Sequence, residues 1–225
     1  MLGYTYDRES GEFTVYHLKR FLRGIASCPQ LERLHIVGHS RGADILLTAL
    51  RDLHLQYAAS GQDTRQQLKH CNVVLAAADL DWQVAVQRIA AERLTGVCQR
   101  TTIYLNQNDR AIELTEWLFP SITRLGQLRL GDLTPSQRAA LSCMEGLNLI
   151  DVRVKTDFLD HAYFTSNPAV LSDLILLLRD NRAPGIAHGR PLIDLGGGFW
   201  ELRTGYPQLD GPAVSAAASW SRSDQ

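Results

Sequence analysis

Short apolar runs alternate with longer segments of helical periodicity between residues 34 and 154 of this chain. This alternation is typical of β-α-β units, in which buried parallel strands are joined by helices. The runs are also short enough to be strands that are buried on both faces. We therefore expect an α/β fold with a parallel sheet flanked by helices, whose strands cover residues 34–37, 73–76, 101–105 and 149–154.

Apolar residues at three- and four-residue steps predict the helices between these strands. Thr134, Pro135 and Gln137 also form the pattern of a capping box with proline at the first helical position. Asn167 and Pro168 repeat the pattern of a cap followed by proline. The helices expected on this basis cover residues 15–25, 45–53, 82–89, 111–118, 135–143 and 168–182.

The segment Gly38-His39-Ser40-Arg41-Gly42 places a G-x-S-x-G motif between the first predicted strand and a helix. Small residues two positions either side of a serine allow it to occupy the apex of a sharp, strained turn with its hydroxyl exposed. The helix that follows directs N–H groups and its positive dipole end at that apex. The motif predicts that Ser40 is a nucleophile and that the backbone N–H of Arg41 stabilises an oxyanion. The alternative is a glycine-rich turn with a solvent-facing serine.

A serine nucleophile requires an imidazole base and a carboxylate that orients it. In this kind of fold both come from loops after later strands, in the chain order serine, acid, histidine. Asp109 follows the third predicted strand and His161 follows the fourth, which gives this order. Asp109 could instead cap the helix that begins at Ala111, and His161 could be a loop histidine packed beside Tyr163. Asp79, after the second strand, is the reserve acid.

Three segments together resemble the α/β-hydrolase superfamily: Gly38–Gly42, Asn108-Asp109-Arg110-Ala111 and Asp160-His161-Ala162-Tyr163-Phe164. More narrowly, residues 3–182 are similar to the esterase/lipase-like bacterial hydrolases catalogued as DUF900. The resemblance implies Ser40 as nucleophile, His161 as base and Asp109 as acid. It also implies a small-molecule ester as substrate and a reaction that needs no cofactor and no metal.

Members of that family carry earlier strands and a His-Gly loop whose N–H completes the oxyanion hole. The segment before Tyr4 is too short to supply them, so the resemblance implies a sheet without its N-terminal half. Two functions follow as hypotheses. The chain is a serine esterase, or it is a catalytically impaired homologue that acts as a binding module and self-associates through an exposed sheet edge.

Composition excludes some other classes of protein. The chain has 23 Lys and Arg against 24 Asp and Glu, a net charge of -1, which disfavours a nucleic-acid partner. The sequence contains no apolar run that could span a bilayer and no secretory signal at its start, so we expect a cytoplasmic protein. The four cysteines form no Cys-x-x-Cys pair and are expected to be small buried thiols.

The chain is expected to divide near residue 182. Residues 1–182 form the hydrolase-like domain, and residues 183–225 form a Gly/Pro-rich extension that is loosely ordered at its end. Within this extension, the run Gly196-Gly197-Gly198 is expected to be a flexible loop, because it lacks the spacing of a phosphate-binding loop.

Overall fold

The computed structural model describes residues 2–107, 124–154 and 163–208. They form a six-stranded sheet of order β1-β2-β3-β4-β6-β5, in which only β5 runs antiparallel to its neighbour. The expected α/β fold with a mostly parallel sheet is therefore confirmed. The strands are β1 (His35–His39), β2 (Asn72–Ala76), β3 (Arg100–Leu105), β4 (Leu147–Arg153), β5 (Ile193–Gly196) and β6 (Phe199–Arg203).

Helices pack on both faces of this sheet, and a π-helical turn, Gln87–Ala91, extends one of them. None of the helices in the described ranges is long and apolar enough to cross a membrane. The predicted helix at 111–118 lies outside the described residues. The helices are α1 (Leu2–Ala26), α2 (Gly42–Ala59), α3 (Thr64–Gln67), α4 (Trp82–Val86), α5 (Pro135–Ser142), α6 (Tyr163–Ser166) and α7 (Pro168–Leu178).

The sheet separates two apolar layers. Ile103 and Leu105 of β3 pack into the layer that contains α2, whereas Tyr104 between them packs into the layer that contains α7. Successive side chains point to opposite faces of a strand, so a strand covered on both sides buries them all, as β3 does from Thr101 to Leu105. Strand β1 is less covered than β3. It pairs only with β2 among the described strands, and its residue Val37 is 41% exposed.

The two predicted cap sequences start helices as expected. Thr134 and Gln137 form a capping box at the start of α5, and the Asn167 side chain accepts hydrogen bonds from two backbone N–H groups at the start of α7. Helix α7 ends at Leu178, earlier than the predicted position near 182. Asn181 adopts a left-handed conformation there, with φ of 51°, which an α-helix cannot continue through.

The extension after residue 182 contributes two strands that the sequence did not predict. Strand β6 adds to the sheet beside β4, and β5 pairs with β6. In the run Gly196–Gly198, Gly196 ends β5 and the next two glycines form the turn to β6, with φ of 84°, 62° and 83° along the run. A Cβ at Gly198 would lie 2.9 Å from the backbone oxygen of Leu147, which leaves room only for glycine. Residues 209–225 lie outside the described residues.

A buried ion pair attaches this extension to the rest of the fold. Arg190 and Asp173 are both fully buried and are joined by two hydrogen bonds of 2.7 and 2.8 Å. The hydroxyls of Tyr104 and Tyr206 each donate to the Asp173 carboxylate at 2.6 Å. Burial raises the pKa of Tyr104 well above its usual value, so its hydroxyl remains a donor. Segments before and after residue 182 thus share one polar cluster.

The four cysteines fall into two groups. Cys71 and Cys98 are buried, as expected. Cys28 follows α1 and Cys143 follows α5, and both are exposed. The expectation of four buried thiols was wrong for these two because both lie at the ends of surface helices.

Candidate active site

Ser40 occupies the turn between β1 and α2 in a left-handed conformation, with φ of 52°. Such a backbone is uncommon for a residue other than glycine and costs on the order of 1–3 kcal/mol. The side chain is half-buried, and its hydroxyl makes no hydrogen bond to any residue in the described ranges. This geometry is the strained strand-to-helix turn that the motif predicts.

Backbone hydrogen bonds fix the Ser40 turn to the neighbouring strand. The Ser40 N–H donates to the Ala76 oxygen at 3.1 Å, at the end of β2. The Ser40 carbonyl accepts from Ala43 N–H at 3.1 Å and from Asp79 N–H at 3.2 Å. Three backbone hydrogen bonds therefore fix the turn, and a strained conformation persists only where its surroundings fix it in this way.

The two glycines of the motif have different surroundings. A Cβ at Gly38 would lie 3.0 Å from Leu46 Cδ2 and 3.1 Å from Ala43 Cα. A side chain at position 38 would therefore require α2 to move a few tenths of an ångström away from β1. A Cβ at Gly42 would meet no atom within 4 Å, so the atoms around this position give no reason for glycine.

Helix α2 begins directly behind Ser40, with Arg41 as its N-cap residue. The N–H groups of Ala43 and Asp44 donate to the carbonyls of Ser40 and Arg41, both at 3.1 Å. These two amides are thus used within the turn. The backbone N–H of Arg41 precedes them in the chain and remains the predicted oxyanion donor, and the positive end of the α2 dipole lies behind it.

The reserve acid Asp79 lies beside the nucleophile turn but has a cationic partner. Its Oδ1 atom is 3.2 Å from Nε of Arg124, although the orientation is not that of a hydrogen bond. Asp81, two residues on, caps α4 by accepting from Val84 N–H at 2.9 Å. Both aspartates after β2 thus have structural contacts. Arg124, which forms the ion pair with Asp79, is not marked by any motif in the sequence.

Asp109 and His161 both lie outside the described residues. One described range ends at Gln107, two residues before Asp109, and another begins at Tyr163, two residues after His161. The strands that precede both predicted residues, β3 and β4, end at the same edge of the sheet as β1, because all three are parallel.

The segment that follows His161 packs against the strand ends next to Ser40. Tyr163 is fully buried, and its hydroxyl accepts from Ala77 N–H and donates to the Tyr104 carbonyl, both at 3.2 Å. The ring of Phe164 stacks on the ring of His39, with centroids 4.7 Å apart. In the sequence, Tyr163 and Phe164 stand out only as neighbours of His161, since contacts between such distant segments leave no local signal.

A cavity of about 330 Å³ lies away from this turn, at the C-terminal ends of α1 and α2. Its lining includes Arg23, Tyr57 and Gln67. Helix α2 has 18 residues, so its C-terminal end is about 27 Å from Ser40. The cavity is therefore too distant to hold a group that reacts with Ser40. Within the described ranges, no group of three or more metal-ligating side chains is close enough to hold a metal ion.

Comparison with known proteins agrees with the geometry of the turn. A family model described as an alpha/beta hydrolase of unknown function (DUF900) matches residues 1–179. This span includes Ser40, Asp109 and His161 and ends before β5 and β6. Neither the search of curated proteins nor the search of solved structures found a match.

Proposed function

Because this chain belongs to the DUF900 family of α/β hydrolases, we propose that it is a serine hydrolase that cleaves carboxylic esters. The observation that carries this proposal is the strained conformation of Ser40, with φ of 52°, at the junction of β1 and α2. A nucleophile at a sharp strand-to-helix turn requires this conformation, because it projects the hydroxyl beyond the ends of the strands.

In the proposed mechanism, Ser40 Oγ attacks the ester carbonyl while His161 accepts the hydroxyl proton. The tetrahedral intermediate carries its negative charge on the former carbonyl oxygen, next to the Arg41 N–H. Its collapse breaks the bond to the alcohol, which leaves with the proton from His161, and the acyl group remains on Ser40. Water, deprotonated by His161, then attacks the acyl carbon. The bond to Ser40 Oγ breaks, His161 returns the proton to this oxygen, and the carboxylic acid leaves. Asp109 holds the imidazole in the required tautomer.

The contacts of Tyr163 and Phe164 support His161 as the base. His161 precedes Tyr163 by two residues, so their Cα atoms are at most about 7 Å apart. Tyr163 binds the ends of β2 and β3, and Phe164 stacks on His39, the neighbour of Ser40. The length of chain between Tyr163 and position 161 therefore allows the His161 imidazole to reach the nucleophile. Asp109 is likewise two residues from Gln107, which follows β3, so their Cα atoms are also at most about 7 Å apart.

A fluorophosphonate probe tests the nucleophile directly. We expect the probe to label the wild-type chain at Ser40 and the Ser40→Ala variant not at all. Ser142→Ala is the matched control, since Ser142 is an exposed serine on α5, and it should label like wild type. Labelling that persists in Ser40→Ala would remove Ser40 from the mechanism.

A second candidate function is a binding module, and the edge strand β1 favours it. Val37 on β1 is 41% exposed, and the outer edge of β1 has no partner strand within the described ranges. Phe13 and Phe21 on α1 are also exposed, at 69% and 61%. Unpaired strand edges of this kind pair with other chains. If wild type self-associates in light scattering and Val37→Lys does not, while neither hydrolyses esters, this function is favoured over catalysis.

A further inference from the structure

The ends of β4 and β6 carry the same pattern of an acidic residue followed two positions later by arginine. Asp151 and Arg153 lie on β4, and Glu201 and Arg203 lie on β6. The two strands are parallel neighbours, and their register pairs Asp151 with Glu201 and Arg153 with Arg203. Residues two apart on a strand share a face, so all four side chains lie on one face of the sheet.

The two carboxylates are buried and the two guanidinium groups are not. The side chains of Asp151 and Glu201 are 2% and 8% exposed, whereas those of Arg153 and Arg203 are 59% and 65% exposed. Arg153 Nε donates to Asp151 at 2.8 Å and lies 3.6 Å from Glu201. Arg203 Nε donates to Glu201. Each arginine is thus held at its Nε by a buried carboxylate.

This anchoring leaves the outer part of both guanidinium groups available. Every hydrogen bond that they make to described residues uses Nε. The terminal Nη groups therefore have no hydrogen-bond partner in the part of the chain that the structure describes. Two neighbouring guanidinium groups with fixed stems and unused Nη donors match the paired oxygens of a carboxylate or a phosphate.

The arginines also lie on the same side of the sheet as Ser40, where the parallel strands end. They are at the C-terminal ends of parallel strands, where α/β folds bind ligands, and Ser40 follows β1 at the same edge. Strand β4 is three positions from β1 and β6 is four. At about 4.8 Å between neighbouring strands, the arginines are laterally about 14 and about 19 Å from Ser40. One extended molecule could reach both places.

We propose that Arg153 and Arg203 bind an anionic oxygen group, a carboxylate or phosphate, at the far end of an extended ester whose carbonyl lies at Ser40. This inference rests on the proposed esterase function for the identity of the ligand as substrate. The four charges sum to zero, so recognition depends on the paired geometry of the Nη donors and not on long-range attraction. A neutral end group at the same distance from the ester forms weaker hydrogen bonds with those donors, because it carries no negative charge.

The test measures binding to the full chain carrying Ser40→Ala, so that no ligand is consumed. The probes are the methyl ester of ω-hydroxydodecanoic acid, the monomethyl ester of dodecanedioic acid, and the hydroxy ester phosphorylated at its terminal hydroxyl. We expect titration calorimetry to show about tenfold tighter binding of at least one anionic probe than of the neutral probe. Whichever anionic probe binds more tightly identifies the group.

Arg203→Gln should abolish this preference, and Arg203→Lys should reduce it, because lysine keeps the charge but not the paired donors. Arg179→Gln is the matched control and should retain the preference, since Arg179 is an exposed arginine paired with Asp180 after α7. If Arg203→Gln does not fold because Glu201 loses its partner, the double variant Glu201→Gln/Arg203→Gln removes both charges and decides in its place.

Equal affinity for all three probes, or a preference that survives Arg203→Gln, would overturn the inference. Hydrolysis is measured separately with the wild-type chain. An anion preference without any hydrolysis would contradict the esterase proposal and leave the anion site in place. Hydrolysis without an anion preference would do the reverse.

Discussion

At the scale of single residues, the conformation of Ser40 shows how the chain maintains local strain. Its left-handed backbone is fixed by hydrogen bonds to Ala43 in α2 and to Ala76 and Asp79 at and after the end of β2. The motif makes this residue predictable because strand, turn and helix are consecutive in sequence. Its partner loop is less predictable, since Asp79 is brought to the turn only by the pairing of β1 with β2.

The assignment of the catalytic acid can be tested by two matched substitutions. Asp109→Asn is expected to lower kcat by about 10⁴-fold, because the imidazole loses the carboxylate that fixes its tautomer. Asp79→Asn should leave kcat within a few fold and lower the melting temperature, because Arg124, 13% exposed, loses its counter-charge. Steady-state hydrolysis of a soluble ester and thermal unfolding measure both effects. The opposite pattern of kcat values would make Asp79 the acid.

A second residue-scale prediction concerns His35 on β1. Burial, with a smaller contribution from Arg33, lowers the pKa of His35 below 6.5. Its Nδ1 atom accepts the Asn72 N–H at 3.3 Å, which requires a deprotonated nitrogen. The unfolded chain therefore binds this proton more readily than the native chain, and the stability from neutral His35 is present above about pH 6.5 and lost below it.

We expect the free energy of unfolding in urea to fall between about pH 7 and about pH 5, and to fall less in His35→Gln. Glutamine still offers an acceptor to Asn72 but does not titrate. An identical decrease in both chains would show that His35 does not contribute to the pH dependence.

At the scale of secondary structure elements, the close contact between β1 and α2 should make the two motif glycines differ in their tolerance of a methyl group. Gly38→Ala places a methyl group 3.0 Å from Leu46 Cδ2 and 3.1 Å from Ala43 Cα. We expect a loss of roughly 1–3 kcal/mol of stability and slower labelling of Ser40, because α2 must move away from β1. Gly42→Ala, where the space is open, should change stability by less than about 1 kcal/mol. Equal effects at both positions in thermal unfolding would contradict this account.

The strands differ in how far their own residues predict them. Strand β2 was predictable because both faces are covered, which leaves the continuous apolar run Val73–Ala76. Strand β3 shows the run less fully, since Thr101 and Thr102 precede Ile103, Tyr104 and Leu105. Strand β6 was not predictable, because Glu201 and Arg203 break its apolar pattern toward the C-terminal end of the strand. Strand β5 ends in a glycine turn and carries only two apolar residues. The contacts of Tyr163 with Ala77 and Tyr104 join residues far apart in sequence and require the assembled sheet.

At the scale of the whole molecule, the Asp173–Arg190 cluster links the family-matched region to the segment beyond it. Arg190→Gln is expected to cost roughly 3–5 kcal/mol, because it leaves the Asp173 carboxylate buried without its counter-charge. The double variant Asp173→Asn/Arg190→Gln should recover most of this loss, since neither charge remains. Urea unfolding of the three chains measures it. A single variant as stable as the double would show that the ion pair is not required.

The distribution of thiols over the molecule provides an internal reporter of its folding. A maleimide dye should modify Cys28 and Cys143 at once in the native chain, because both are on the surface. Cys71 and Cys98, enclosed at the beginnings of β2 and β3, should react only when the domain opens. Counting modified sites by mass spectrometry as denaturant is added would therefore follow unfolding of wild type without an engineered probe.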